Sequence, residues 1–409
     1  MLSPCETSSG IYKRRSPDSF ALRRHRALLV LGVAQLTSAL VFYVPVSALF
    51  LVSRGLSYQE IFLLEGVLSA VVLLAEVPAG HLADRAGRRG TLTAGFAVAA
   101  GAEVLFAVGG GLPAYLASFA LSGLSIALLS GVDSAYVYES LGDGADRHAT
   151  TAFGRLAALD LVGGTVSAVV GPLLAASWGI AAPAYAAAGA ACAALAIVLL
   201  LPAERSSPPR PESAASSVLT AAGIVFRSPV LLYAAVASGG AFAVFNAVHT
   251  LDQPLFQGAG VPQASFGVVV GAGMLAAAAA DTVVGRLERR IGRRALLFAA
   301  TAIGSAGFVL LAVPLPAVAI AGFGAVVLGM NLRGPVLSAV ANRLLPDSRR
   351  ATALSLMSSM GSVVGIGANL GLGALAERDP ASASLAAAGV LAVVALLGLR
   401  YVGREESGR

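Results

Sequence analysis

The decapeptide GHLADRAGRR, residues Gly80 to Arg89, decides the fold class of this chain. It concentrates one aspartate and three arginines in a sequence that is 57% hydrophobic and only 12% charged. A related decapeptide, GRLERRIGRR, occupies residues 285–294, which is 205 residues further on (285 − 80 = 205) in a chain of 409. This spacing, close to half of the length, predicts that the chain contains one structural unit twice.

The repeat extends beyond the decapeptides. Glu76 and Asp281 precede the two copies and are again 205 residues apart (281 − 76 = 205). A second pair of segments, RHAT at 147–150 and RRAT at 349–352, is offset by 202 residues (349 − 147 = 202). Parallel repetition of this kind is typical of secondary transporters, whose two halves enclose a site near the middle of the membrane.

The composition indicates a membrane protein. A mean hydropathy of +0.80 and 12% charged residues lie far from soluble domains, in which about a quarter of residues are charged. Apolar segments of about 20 residues recur, and each can cross about 30 Å of hydrocarbon as a helix. We predict an all-α membrane protein with twelve spans near 27–52, 59–81, 90–110, 114–139, 152–177, 181–202, 230–256, 264–286, 294–312, 317–342, 350–376 and 381–402.

These spans divide the chain into two bundles of six helices, 27–202 and 230–403. A basic linker at 203–229 joins them, and tails at 1–26 and 404–409 flank them. Basic residues lie in alternate loops, whereas the opposite loops contain only Arg54 and Arg378, so both termini are predicted to be cytoplasmic. The net charge of +6 therefore reflects orientation in the cell membrane and gives no reason to expect nucleic-acid binding.

The first decapeptide resembles the loop signature of the major facilitator superfamily, and the resemblance covers nearly all of 27–403. It indicates the twelve-span bacterial type, and Gly163, Gly164, Gly171 and Pro172 resemble part of the glycine-proline motif of its antiporter, drug-efflux-like branch. The arginine-plus-glutamine motif of many proton-driven exporters is missing from span four. The resemblance also implies a monomer.

Within that family the decapeptide is a conformational latch on the cytoplasmic side. The resemblance assigns the latch to Gly80, Asp84, Arg85, Gly87, Arg88 and Arg89. Asp84 can face the N-terminal end of a neighbouring helix, where the dipole favours negative charge. In the second copy the aligned residue is Arg289, so the latch is expected to be asymmetric. The alternative is that both loops serve only as positive-inside anchors.

Span seven carries the clearest candidate substrate face. Its polar and aromatic residues share one helical stripe: Phe242, Phe245, Asn246, His249, Asp252, Gln253 and Phe256. Such a stripe can bind an amphipathic organic molecule. The alternative is a polar seam whose groups form hydrogen bonds with neighbouring helices. Gln35 and Phe42 in span one and Asn331 in span ten are further cavity candidates, with helix packing as the alternative.

Ionisable groups inside spans are costly and are functional candidates by default. Asp133 and Asp160 are the predicted proton carriers, with Arg155 and Arg333 as counter-ions; structural pairing, such as Glu139 with Arg155, is the alternative. For Glu65 and Glu103 the sequence suggests no role.

The leading hypothesis is a proton-coupled exporter of small hydrophobic or cationic organic molecules. The alternatives are a proton symporter that takes up a polar metabolite and a transport-inactive sensor or scaffold. The expected partners are a small-molecule substrate, protons and the lipid bilayer. No nucleotide loop, metal cluster or nucleophile motif is recognisable, so we expect neither a cofactor nor an enzyme activity.

Overall fold

A computed structural model describes residues 17–130, 132–141, 145–202, 223, 225–345 and 350–406. Every regular element in these ranges is helical. The N-terminal half contains α1 (Pro17–Ser38), a 3-10 turn (Val44–Val46), α2 (Ser47–Ser53), α3 (Tyr58–Ala86), α4 (Arg88–Val108), α5 (Leu112–Leu129), α6 (Val132–Leu141), α7 (Ala145–Trp178) and α8 (Ala182–Val198). The C-terminal half contains α9 (Pro229–Asn246), α10 (Val248–Gly258), a 3-10 turn (Gln263–Ser265), α11 (Phe266–Ile291), α12 (Arg293–Leu311), α13 (Pro316–Leu344), α14 (Arg350–Ala376) and α15 (Pro380–Glu406).

The predicted all-α membrane architecture is confirmed. Within the described ranges, ten helical segments are long and apolar enough to cross a membrane. Two predicted spans are shorter than that: the sixth corresponds to Ala182–Val198, and the first is divided into Arg26–Ser38 and Val44–Ser53. The linker lies mostly outside the described residues.

The internal repeat is visible in backbone geometry. Gly87 lies between α3 and α4 with φ 78° and ψ 156°, and Gly292 lies between α11 and α12 with φ 81° and ψ 155°. Both glycines adopt a positive φ that other residues rarely tolerate, so each copy turns sharply into its next helix. The end of the molecule that carries these arginine-rich turns is called the basic end below, and the opposite end is called the distal end.

The first predicted span is interrupted between α1 and α2. Pro45 has no N–H to continue an α-helical ladder, and the chain forms a 3-10 turn instead, in which the Val46 N–H donates to the Tyr43 carbonyl at 2.9 Å. The interruption is packed against α7, because a Cβ at Gly171 would collide with the Phe42 carbonyl oxygen. Span seven is also divided, at Ala247 between α9 and α10, upstream of Pro254.

Glycines allow helices to approach closely at two small-residue motifs, which begin at Gly267 and Gly361. Gly361 of α14 faces Gly239 of α9 so tightly that a Cβ at Gly361 would lie 2.7 Å from the Gly239 Cα. Gly267 of α11 packs directly against the Ala168 carbonyl of α7, which belongs to the other half. The first contact packs two helices of the C-terminal half together, and the second contact joins the two halves.

Candidate substrate cavity

A cavity of about 830 Å³ lies between the two halves. Its volume falls within the range of sites for drug-sized ligands. The N-terminal half contributes the 3-10 turn, α2, α3, α4 and α5 to the lining, and the C-terminal half contributes α9, α10, α13 and α14. The polar and titratable side chains of the lining are Tyr43, Ser47, Glu65, Ser69, Glu103, Ser118, Ser122, Asn246, His249, Thr250, Ser338, Ser358, Ser362 and Asn369.

Two carboxylates lie at similar depth near the distal end of the cavity. Glu103 is five residues before the end of α4 at Val108 (108 − 103 = 5), and Glu65 is seven residues after the start of α3 at Tyr58 (65 − 58 = 7). At 1.5 Å per residue these positions are about 8 and 10 Å from the distal ends of their helices. Both groups therefore belong to the floor of the cavity.

The lining around the carboxylates is aromatic and lacks fixed positive charge. Among the described residues that line the cavity, none is a lysine or an arginine. The Tyr43 hydroxyl donates to Glu103 Oε1 at 3.1 Å, and the Tyr43 ring stacks on Phe106 with centroids 4.1 Å apart. His249 contributes an imidazole from α10 and packs edge-on against Phe323 at 6.2 Å. The floor can thus accept protons or a cation.

Gln253 closes the distal end by bridging the two halves. Its side-chain oxygen accepts from the Ala48 N–H at 2.7 Å and from the Leu49 N–H at 3.2 Å, which are unsatisfied donors in the first turn of α2. Its side-chain nitrogen donates to the Val44 carbonyl at 3.0 Å and to the Ser47 hydroxyl at 3.3 Å, and within its own helix to the His249 carbonyl at 2.8 Å. An amide from one half therefore caps a helix of the other half; this set of contacts is called the Gln253 clamp.

Other contacts between the halves also lie toward the distal end. The Gln59 N–H donates to Glu377 Oε2 at 3.3 Å, and Gly373 packs over Phe62. The lining of the cavity, in contrast, continues to Leu354 near the start of α14, at the basic end. The cavity is therefore closed at the distal end and extends toward the basic end.

The predicted proton-coupling residues do not line this cavity. Asp133 lies in the first turn of α6, where its carboxylate accepts from the Ser134 N–H and hydroxyl. Asp160 and Arg155 are exposed on α7. Arg333 is buried on α13 and donates to the Ala237 carbonyl at 2.7 Å, so it ties α13 to α9 within the C-terminal half.

The predicted substrate face of span seven is divided between the cavity and the core. Asn246 and His249 line the cavity. Phe245, Asp252 and Gln253 are buried, with Phe245 and Phe256 in a hydrophobic core cluster. Gln35, Phe42 and Asn331 are half-buried and do not belong to the lining, and the Asn331 amide donates to the Val327 carbonyl of its own helix. The Phe242 side chain lies outside the described residues.

The structure describes only part of the predicted latch. Arg88 pairs with Glu139 at 2.8 Å and also donates to the Ala135 carbonyl at 2.9 Å, and Arg89 donates to the Leu199 carbonyl at 3.2 Å. These bonds stay within the N-terminal half. They also give Glu139 a partner other than the predicted Arg155. The surroundings of Gly80 and the side chains of Asp84, Arg85 and Asp281 lie outside the described residues.

Sequence reasoning gave Glu65 and Glu103 no role, although the structure places both on the cavity. The signal that the sequence offers is the position of each glutamate within an apolar span, where an ionisable group is costly. A second signal was the proline at position 45, which interrupts the first span and turns Tyr43 toward Glu103.

Comparison with known proteins agrees with this architecture. The family profile described as Major Facilitator Superfamily matches residues 28–325 and 250–409. Among curated proteins, no sequence matches the chain significantly. The solved structure of the nucleoside transporter NupG superposes with a TM-score of 0.76 at 14% identity, covering 93% of this chain and 99% of that one.

Two further structures share the fold. The POT family transporter PepTSo superposes with a TM-score of 0.75 at 12% identity, covering 94% of this chain and 99% of that one. A peptide transporter POT in complex with sulfate gives 0.73 at 17% identity, covering 93% of this chain and 94% of that one. Together with the profile match, the repeat and the cavity between the halves, these likenesses establish that the chain is a transporter of the Major Facilitator Superfamily.

Proposed function

We propose that this chain exports small hydrophobic or cationic organic compounds in exchange for protons, by alternating access. The observation that carries the proposal is the charge of the cavity: Glu65 and Glu103 line it, and its described lining contains no lysine or arginine. The aromatic rings beside these carboxylates favour an amphipathic substrate over a fully polar one.

The charge balance of the floor supplies a coupling mechanism. A carboxylate inside a membrane costs several kcal/mol unless a counter-charge neutralises it. With no lysine or arginine in the described lining, that counter-charge is either a proton, on the carboxylate or on His249, or a cationic substrate. Because the two compete for the same oxygens, binding of one favours release of the other, which is the requirement for exchange.

The direction follows from the orientation. If the basic end faces the cytoplasm, as the positive-inside rule predicts, the cavity extends toward the cytoplasm and can load substrate there. We propose that a single chain carries out transport in the cell membrane, with both termini in the cytoplasm. Asp84 remains the predicted latch residue, and Asp84→Asn is expected to slow cycling without abolishing substrate binding.

The test uses inside-out vesicles with a respiration-driven acidic interior, in which internal pH is followed while amphipathic cations are added. We expect alkalinisation that requires the protein and is lost in Glu65→Gln or Glu103→Gln. Asp160→Asn is the control, since its carboxyl is exposed and does not line the cavity. Loss of coupling only in the control would move the proton site to span five.

A second candidate is proton-coupled uptake of a polar metabolite, because serine hydroxyls and the amides of Asn246 and Asn369 also line the cavity. Right-side-out vesicles separate the two functions. Accumulation of a zwitterionic solute driven by an inward proton gradient, with no response to cations, would overturn export in favour of uptake.

A further inference from the structure

We infer that Glu103, positioned by Tyr43, forms a subsite for the N–H of a protonated amine that carries an aromatic ring. The inference rests on the proposed function, since it narrows the cationic substrates to those whose charged nitrogen can donate a hydrogen bond. It also predicts that a quaternary ammonium with the same ring and charge, in which a methyl group replaces the N–H, binds less well.

Glu103 is held in place by an aromatic residue from the interrupted first span. The Tyr43 hydroxyl donates a hydrogen bond to Glu103 Oε1, and the Tyr43 ring is stacked on Phe106 at an interplanar angle of 25°. Phe106 in turn contacts Phe119 with centroids 6.2 Å apart. A stacked ring cannot turn freely, so Tyr43 fixes the carboxyl group relative to the aromatic wall.

The second oxygen of Glu103 has no partner. Oε2 is shielded from solvent, and no described group donates to it. A buried acceptor without a donor is costly, and an ionised carboxylate accepts hydrogen bonds only. Since the terminal bond of a glutamate rotates over a broad range, either oxygen can face the cavity while Tyr43 holds the other. The missing partner is thus an N–H, an O–H or a proton.

The surroundings select the body of the ligand. Tyr43, Phe106 and Phe119 all line the cavity next to Glu103, and together they form an aromatic wall. A cation near such rings gains a cation–π contribution whether or not its nitrogen bears a proton. The wall therefore attracts tertiary and quaternary ammonium ions alike, and the free oxygen of Glu103, which lies beside the wall, is the acceptor that distinguishes them.

Protons compete with the amine at this subsite. The other titratable groups that face the cavity floor are Glu65 from α3, Tyr43 from the break in the first span and His249 from α10. The described lining from α5, α9, α13 and α14 contributes hydroxyls, amides and apolar groups but no titratable side chain. Lowering the pH should therefore weaken amine binding, both by neutralising Glu65 and Glu103 and by adding positive charge to His249.

The experiment compares N,N-dimethylphenethylamine with the N,N,N-trimethylphenethylammonium ion by titration calorimetry on the purified full chain in nanodiscs. At neutral pH both ligands carry one positive charge and the same ring, but only the first has an N–H. We expect the tertiary amine to bind about tenfold or more tightly, as one charge-assisted hydrogen bond implies. In Glu103→Gln, whose amide oxygen still accepts from Tyr43, this preference should disappear.

Glu65→Gln is the matched variant. It removes a charge from the same floor without touching the Glu103 oxygens, so it should weaken both ligands while leaving their ratio unchanged. Equal affinities in the wild type, a preference that survives Glu103→Gln, or failure of both ligands to bind would each overturn the subsite.

Failure of the subsite and failure of the proposed function are distinguishable. A tenfold preference in the calorimeter without proton movement in vesicles would retain the amine subsite and reject proton-coupled export. Proton-coupled export that is indifferent to Glu103→Gln and to the N–H would retain the function and reject the subsite.

Discussion

The Gln253 clamp should determine how often the distal end is closed. Replacing Gln253 with leucine keeps a side chain of similar size but removes both its acceptor and its donors. The Ala48 N–H, the Leu49 N–H and the Val44 carbonyl would then lose a hydrogen-bond partner between the halves. When the distal end opens, water can satisfy these groups, so the penalty applies only to the closed state.

The magnitude follows from the number of groups affected. Leaving a buried donor unsatisfied costs about 1–3 kcal/mol. The Val44 carbonyl keeps the Ser47 hydroxyl as a donor, so the penalty comes from the Ala48 and Leu49 N–H groups, and costs in the lower half of that range give about 2–4 kcal/mol. At 1.4 kcal/mol per factor of ten, the ratio of closed to open chains should fall roughly 30- to 1,000-fold. If most wild-type chains are closed at the distal end, most Gln253→Leu chains should thus be open there.

The assay measures the distance between spin labels on the distal surfaces of the two halves. Trp178 at the end of α7 and Leu315 before α13 are both exposed, and cysteines there can be labelled after Cys5 and Cys192 are replaced by serine. Gln253→Leu should shift the distance distribution toward longer values. Gln257→Leu is the control, because Gln257 is exposed on the same helix one turn further on.

Two results would refute this reasoning. An unchanged distribution in Gln253→Leu would mean that the remaining contacts between the halves, such as Gln59 with Glu377, hold the distal end closed without the amide. An equal shift in Gln257→Leu would mean that the helix tolerates leucine poorly for reasons unrelated to capping.

Three further predictions concern packing, the latch and pH. Gly171→Ala should impair folding or transport by overpacking at the break in the first span, whereas Gly164→Ala, with open space around its Cβ, should not; membrane yield and transport check this. Glu139→Gln should remove the charged partner of Arg88 and raise protease sensitivity at the basic end by less than twofold, because Arg88 keeps its bond to the Ala135 carbonyl and a partly exposed ion pair contributes little. The Ala381 N–H, with the Ser382 hydroxyl and N–H, holds the pKa of Asp379 below its usual range. The stabilisation of the fold by this carboxylate is therefore present above its unfolded pKa near 4 and is lost as the pH falls through the lower folded pKa. A series of thermal-shift measurements over pH on the wild type and Asp379→Asn would detect this loss.

The architecture could be predicted because it depends on features that one sequence displays. Length and apolarity of segments determine the spans, the 205-residue offset reveals the repeat, and glycines such as Gly361 mark close helix contacts. These are properties of single helices or of short motifs. They do not depend on which side of a helix faces the partner half.

The site was harder to predict because it depends on helix rotation. Residue counting gives the depth of Glu103, but only packing against α5 and the broken first span turns it toward Tyr43 and the cavity. Phe245 shares a stripe with His249, yet a Cβ at Gly304 would touch its ring, so Phe245 belongs to the core. Gln253 belongs to a stripe that was predicted either to bind substrate or to be satisfied by neighbouring helices, and its amide caps a helix that a continuous first span would not have exposed.

The amine subsite and the clamp act on the same short break in the first span. Tyr43 holds Glu103, and Ser47, four residues later (47 − 43 = 4), contacts the Gln253 amide. A ligand that binds Glu103 therefore contacts one end of a segment whose other end takes part in the Gln253 clamp. We expect saturating N,N-dimethylphenethylamine to lengthen the Trp178–Leu315 label distance in the wild type but not in Glu103→Gln. A ligand can shift this equilibrium only by its difference in affinity between the two states. An equal response in both chains would mean that binding at Glu103 does not open the distal end. The link between ligand binding and opening would then lie in another part of the cavity.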